Sequence, residues 1–306
     1  MESGSLVTYR GPSDSQDRAG ILRSDGSVVR AAPLEGARGL VEVMERWAAS
    51  EAALRSFDPA GAEVIDGAVV LAPLRFPRKL LCAGANYGKH LQEMGVTSIP
   101  AGVRPYFFLL PPTTTIIGPS DPVLIPDDPA ARVDWEAELA VVIGRPARRV
   151  TVDQAAEVVA GYTILNDISA RGYHRREPAL APPFGYDWLR AKGLDTFCPL
   201  GPGVTPAWQV TDPHNLHIRL WRNGELKQDG STGDMLHGVW ELIAAASASM
   251  TLEPVDVLAT GTPAGVGVAR GESLRPGDRL AIEITGLGRL ENPVALAPDA
   301  GGVTAA

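Results

Sequence analysis

Six residues of this 306-residue chain have the types and spacing that chemistry needs: His90, Glu93, Glu136, Glu138, Asp167 and Lys192. Glu136 and Glu138 stand in the run Asp134-Trp-Glu-Ala-Glu-Leu-Ala-Val-Val-Ile-Gly144. Read with period two, it is a strand with Trp135, Ala137, Leu139, Val141 and Ile143 on one face and Asp134, Glu136 and Glu138 on the other. Carboxylates two residues apart on a strand lie roughly 7 Å apart. They repel unless water screens them or a cation sits between them. A half-buried strand with a solvated acidic face gives the same pattern, so a third oxygen donor must decide. Asp167 closes the apolar run Gly161-Tyr-Thr-Ile-Leu-Asn166, where a buried carboxylate needs partners; an Asp capping the strand-end turn is the plain alternative. Glu136, Glu138 and Asp167 together offer the oxygen ligands that Mg²⁺ or Mn²⁺ prefers, with water or substrate completing the octahedron.

His90 and Glu93 are spaced i, i+3 and would be neighbours on one helical turn. A carboxylate beside an imidazole orients it and raises its basicity, as a general base requires. A surface histidine with an incidental neighbour fits the same spacing. Arg171 follows Asp167 by four residues, close enough to pair with an anionic group in the same pocket. Lys192 is either a surface lysine or a cation that offsets charge developing on an oxygen. The Gly-rich turn Thr260-Gly-Thr-Pro-Ala-Gly-Val-Gly267 is neither a P-loop nor a dinucleotide fingerprint. It is suited to bringing backbone N–H groups and the Thr262 hydroxyl to an anion.

The elements that must position these residues follow in order. Residues 19–22 and 27–30 read as a hairpin around Ser24-Asp-Gly26, and Gly39 to Ala53 as one amphipathic helix. Leu80 to Gly84 is a short buried strand that leads into the polar segment 86–95, and Pro105 to Pro119 holds another. Val150 to Ala160 reads as a helix opened by the Thr151/Gln154 capping pair. Residues 172–190 form a long irregular loop, which in a compact domain is functional or mobile. Leu216 to Arg222 with the turn Asn223-Gly224 reads as a hairpin, Asp234 to Ser247 as an apolar helix, and Leu280, Ile282 and Ile284 as a final strand.

The chain is ordinary globular material, 45% hydrophobic and 21% charged, long enough for a large core. A net charge of −8 and the lack of a basic run argue against nucleic acid or an anionic surface as partner. Cys82 and Cys198 lie far apart, giving neither a disulfide framework nor a zinc pattern, so a reducing cytoplasm is expected. The N-terminus lacks the regions of a signal peptide, no stretch is long and apolar enough to span a membrane, and the tail after Pro298 reads as frayed. A small N-terminal α+β domain is expected over 1–76 and a catalytic domain over 77–306.

The landmarks Gly84-Ala-Asn-Tyr-Gly-Lys-His90, Glu136-Ala-Glu138-Leu-Ala-Val-Val-Ile-Gly, Gly161 to Arg171, Lys192-Gly-Leu-Asp-Thr-Phe, Pro199-Leu-Gly-Pro202, Asn223-Gly-Glu225 and Thr260 to Gly267 occur in one order. In that order they resemble the fumarylacetoacetate hydrolase family over roughly residues 77 to 295. The resemblance implies a β-rich α+β fold, a mixed β-sandwich roll, as a homodimer with one divalent cation, Mg²⁺ or Mn²⁺. It implies Glu136, Glu138 and Asp167 as metal ligands, His90 with Glu93 as a water-activating dyad on a mobile loop, and Lys192 as the lysine near the metal. Tyr87, Arg171, His174 and Thr262 are the expected substrate contacts. Two positions depart from the family's pattern: His174 stands where Gln is frequent, and Leu110 stands where many members carry Lys.

The expected substrate is a small 2-oxo acid, of the kind met in aromatic catabolism. Such an acid can chelate the cation through a carboxylate oxygen and its keto oxygen. For a 3-acylpyruvate or related 1,3-diketo acid, His90 and Glu93 would deprotonate water for attack on the distal carbonyl, the C–C bond would break, and the cation with Lys192 would stabilise the departing enolate. Decarboxylation of an oxaloacetate-like acid and tautomerisation of a 2-hydroxydienoate use the same parts. A keto-acid-binding protein without activity is the rival from another class.

Overall fold

The strand Ala137–Ile143 is buried along its whole length and divides the interior into two cores. Leu139, Val141 and Ile143 enter one core, and Ala140 and Val142 enter the other. The expected alternation therefore holds, but neither face is solvated. Asp134, Glu136 and Glu138 are all buried. Regular pairing is also interrupted: Val133–Asp134 pairs separately with Ser169–Ala170, so Trp135 and Glu136 lie between two strands.

This computed structural model describes residues 4–298. The first three residues and the tail expected to fray (299–306) lie outside the described residues. The larger sheet has eleven strands. Its main path runs through 28–29, 18–23, 4–10, 198–206, 159–166, 137–143, 257–259, 80–84 and 106–110. Most neighbours are antiparallel, while Val257–Ala259 runs parallel to Leu80–Gly84. A second, five-stranded sheet carries 225–231, 217–222, 279–284, 288–296 and 123–125. Ile218, Leu220, Leu280 and Ile282 of that sheet share the core of Leu139, Val141 and Ile143. The fold is a sheet-rich α+β arrangement with few helices. Residues 4–10, 18–23 and 28–29 join the large sheet where Leu6 faces Val204.

Several elements differ from expectation for local reasons. The single helix over 39–53 is two, Leu40–Glu45 and Trp47–Ser56, broken at Arg46, after which buried Trp47 stacks on Trp208 with ring centroids 5.7 Å apart. The helix expected over 150–160 is a 3₁₀ segment, Val152–Val158, whose three-residue repeat buries Ala155 and Val158 together. Its Gln154 side chain accepts the Thr151 N–H at 3.0 Å, as the capping pair suggested, but Ala160 already belongs to a strand. The apolar helix begins at Val239 rather than Asp234, because Asn86 binds the N–H groups of Leu236 and His237. Arg279–Ile284 is not the last strand; Gly288–Leu296 follows, where Asn292 and Pro293 hide the alternation. The hairpin at Asn223-Gly224 is present, with φ of 53° and 82°. Among the described residues no helix is long and apolar enough to cross a membrane.

Candidate active site

Strand register brings the three carboxylates together. Ala137 pairs with Asn166, which sets Asp167 beside Glu136, and the Asp167 N–H donates to the Glu136 carbonyl at 2.9 Å. Ligand oxygens of Glu136, Glu138 and Asp167 lie within 4.8 Å of one another. Glu138 is held by the Gly261 N–H at 2.7 Å. Gly261 has φ of 91°, and a Cβ there would sit 2.9 Å from the Asn86 Cβ, so the Gly-rich turn needs glycine to deliver that N–H. The anion it meets is the protein's own carboxylate.

Two cations face the cluster. Lys192 Nζ donates to Glu136 Oε2 at 2.8 Å and Asp167 Oδ2 at 2.6 Å, and the lysine is buried. It reaches them from the short helix Trp188–Lys192, whose Asp187 side chain accepts the Arg190 N–H at 2.9 Å. Arg171 Nε donates to Asp134 Oδ1 at 2.7 Å, and its Nη2 donates to Glu136 Oε1. Burial alone would raise the Glu136 pKa, yet Arg171 and Lys192 hold it well below the usual range. Burial pushes Glu138 well above its ordinary value, and the charges of Asp167 and Glu136 add to this. Burial also lifts Asp167, to about 6, against the pull of Lys192.

The donor set fits a divalent cation. Four buried carboxylates, Asp134, Glu136, Glu138 and Asp167, face two permanent cations, Arg171 and Lys192. Asp167 Oδ1 is buried without a hydrogen-bond partner. An unpartnered carboxylate oxygen in a cluster with surplus negative charge is what a hard cation would complete.

Beside the cluster lies the His90 dyad. Residues Gly88–Glu93 form a helix, His90 is buried, and its Nδ1 is 2.8 Å from Glu93 Oε1. Glu93 Oε2 accepts the Gly265 N–H at 2.8 Å, so the Gly-rich turn also fixes the dyad. His90 Nε2 lies 4.0 Å from Glu136 Oε1. A cavity of about 350 Å³ opens here, lined by His90, Glu136, Glu138, Asp167, Arg171 and Lys192 among others. A larger groove of about 650 Å³ runs past Arg219 and Arg289 but gathers no comparable cluster.

The expected substrate contacts divide. Arg171, His174 and Thr262 line the cavity; Tyr87 does not, and its ring is buried beneath. The Thr262 proton is committed to the Ala137 carbonyl at 2.8 Å, and its oxygen accepts from Gln228 Nε2 at 2.8 Å. Leu110 is buried in the core and does not line the cavity. Sequence reasoning placed Asp134 with the acidic face but missed its service to Arg171, because nothing local says which cation reaches it. It also missed Gln228, whose Oε1 accepts the Ala137 N–H at 2.9 Å from another sheet.

Residues 79–295 match the model of the fumarylacetoacetate (FAA) hydrolase C-terminal domain. The chain belongs to the fumarylacetoacetate hydrolase family. It is 43% identical over 227 residues to a mitochondrial oxaloacetate tautomerase of Xenopus laevis, a match covering 74% of this chain and 68% of that protein. A fumarylacetoacetate hydrolase from the psychrophile Exiguobacterium antarcticum superposes with a TM-score of 0.79 at 33% identity, covering 96% of this chain and 100% of that one. A maleylpyruvate hydrolase from Sphingobium sp. SYK-6, in complex with manganese(II) ion and pyruvate, gives a TM-score of 0.75 at 30% identity with the same coverages. Family members thus include hydrolases and tautomerases, one of them in complex with manganese(II) ion and pyruvate.

Proposed function

We propose that this protein moves a proton at carbon 3 of a 2-oxo acid, interconverting its keto and enol forms. The observation that carries this reading is the relay Gly265 N–H to Glu93 to His90, ending with Nε2 4.0 Å from Glu136 on the cavity wall. Glu93 orients the imidazole, so that Nε2 takes the proton from one face of the substrate and returns it. Two of the three Lys192 protons are spent on Glu136 and Asp167, and the third is free to meet an oxygen on which charge develops. A divalent ion held by Glu136, Glu138 and Asp167 would supply a Lewis acid for the adjacent carboxylate and keto oxygens. The 43% identity to an oxaloacetate tautomerase over 227 residues supports proton transfer.

Hydrolysis of a 3-acylpyruvate is the second reading, favoured by the neighbour that holds pyruvate with manganese. There the same Nε2 would deprotonate water instead of carbon. The test is a pair of assays with Mg²⁺ or Mn²⁺ present: decay of enol-oxaloacetate absorbance and cleavage of an acylpyruvate. Ketonisation well above the buffer rate, falling on the order of 10²–10⁴-fold in His90→Gln, is expected. Acylpyruvate cleavage without accelerated ketonisation would move the assignment to the hydrolase, and neither activity would remove both.

A further inference from the structure

We infer that Gln228, which reaches in from strand 225–231 of the five-stranded sheet, is a positioning residue that holds the carboxylate cluster and the His90–Glu93 dyad in one frame. This rests on the readings of both groups above and adds what fixes them relative to each other. The frame is the Gly-rich turn. Its Gly261 N–H donates to Glu138 at 2.7 Å, and its Gly265 N–H donates to Glu93 at 2.8 Å. One turn thus orients a cluster carboxylate at one end and the carboxylate behind the base at the other. Thr262 and Pro263 stand between those two donors, and Gln228 holds both. Its Nε2 donates to the Thr262 hydroxyl oxygen and to the Pro263 carbonyl, each at 2.8 Å. Its Oε1 accepts the Ala137 N–H at 2.9 Å, and Ala137 lies between Glu136 and Glu138. Thr262 closes the circuit by donating to the Ala137 carbonyl at 2.8 Å.

Gln228 is buried, and both its amide hydrogens and its oxygen are committed. A flipped amide would point hydrogens at the Ala137 N–H and its oxygen at the Pro263 carbonyl, so only one orientation fits. The turn lies close against the strand that carries Gln228. A Cβ on Gly265 would fall 2.2 Å from the Lys227 carbonyl oxygen, and one on Gly230 would fall 2.5 Å from the Pro263 Cβ. Trp135, next to Glu136, adds a longer tie by donating its indole N–H to the Gly265 carbonyl at 3.2 Å. Gln228 does not line the cavity, so its effect on chemistry passes through the groups it positions. Loss of an outer partner of ion ligands typically costs about 10–100-fold in affinity or activity. Misplacing a catalytic group by about 1 Å can cost on the order of 10²-fold in rate.

The alternative is a buried amide that merely ties the fold together, and Asn292 is its control. Asn292 also stands on the five-stranded sheet, is buried, donates to the Gly118 and Asp121 carbonyls at 2.9 Å each, and does not line the cavity. Gln228→Met and Asn292→Leu each remove the amide at nearly constant size. Mn²⁺ affinity is read by calorimetry, kcat and KM at saturating Mn²⁺ on the substrate that the parent turns over, and stability by the urea midpoint. Gln228→Met should weaken Mn²⁺ binding about 10–100-fold and lower kcat on the order of 10²-fold, with KM moved far less. Asn292→Leu should lower the urea midpoint while Mn²⁺ affinity and kcat stay at the parent's level. In a Glu93→Ala background, Gln228→Met should lower kcat much less than it does in the parent, because residues that act through one another are not additive. Parent-like Mn²⁺ affinity and kcat in folded Gln228→Met overturn the inference, as does an equal loss of kcat with and without Glu93. Should Gln228→Met not fold, Gln228→Glu keeps the acceptor for Ala137 but gives up the donors to the turn, and an unchanged kcat there overturns the inference too. No Mn²⁺ binding by the parent overturns the cation reading and the frame with it. Mn²⁺ binding without turnover overturns only the proposed reaction, and the Mn²⁺ affinity of Gln228→Met then decides the frame.

Discussion

Two sites in this protein set buried carboxylates among basic side chains and finish them differently. Beside the Asn223-Gly224 turn, every oxygen of Asp278 has a partner: Oδ1 accepts from Asn223 Nδ2 at 2.7 Å, and Oδ2 from Arg222 Nε at 2.9 Å and the Arg275 N–H at 2.7 Å. Burial would raise its pKa, but Asn223, Arg275 and Arg222 outweigh burial and hold it below the usual range. In the cavity, Asp167 keeps one oxygen without a partner and rises to about 6, and Glu138 rises well above its ordinary value. The first site is closed and ties a hairpin to a neighbouring turn. The second carries surplus negative charge, which a folded protein tolerates where a cation is to be bound.

That contrast is sharpest in the acids themselves. Glu136→Ala, Glu138→Ala and Asp167→Ala should each abolish turnover while far-UV circular dichroism stays native; normal turnover in any of them contradicts the cation site. Next in size is Lys192→Met, which leaves Glu136 and Asp167 facing each other without their ammonium. Breaking a buried pair from one side costs about 3–5 kcal/mol, so urea unfolding in chelator should lose roughly that. A loss near zero would mean that the lysine is a bystander. Smaller again is Asp278→Ala, expected to cost about 1–3 kcal/mol through its unpaired donors, with activity retained. Because Asp278 titrates lower folded than unfolded, its contribution is complete above the ordinary carboxylate range of about pH 4 and is lost as pH falls through the folded pKa. The stability gap between Asp278→Ala and the parent should therefore narrow in acid. A gap that widened there would reverse the sign of the argument.

How legible all this was in the sequence depends on the distance over which each feature is decided. Period two along 134–143 marked the strand, and His90 and Glu93 were one helical turn apart in the sequence as they are in space. Three carboxylates meet because a strand pair has a register, and Asp167 at the end of an apolar run already suggested it. Burial of both faces was not legible, because Asp, Glu and Glu on one face look the same whether they meet water or Lys192 and Arg171. Asn86 delays a helix by binding His237, 151 residues away, and Gln228 reaches Ala137 from the other sheet. Neither leaves a local trace. The Thr262 hydroxyl shows the same limit: a hydroxyl in a Gly-rich turn shows its type, not that the Ala137 carbonyl already takes its proton.

The central claim is that Glu136, Glu138 and Asp167 form a divalent-cation site, and titration of chelator-treated protein with Mg²⁺ or Mn²⁺ tests it most directly. Calorimetry should show one ion per chain, and unfolding should shift by about 2.7 kcal/mol at a free concentration of 100 times Kd. Glu138→Gln should remove both signals, whereas Asp278→Ala should leave both in place. Binding that survives Glu138→Gln, or no binding in the parent protein, would contradict the account.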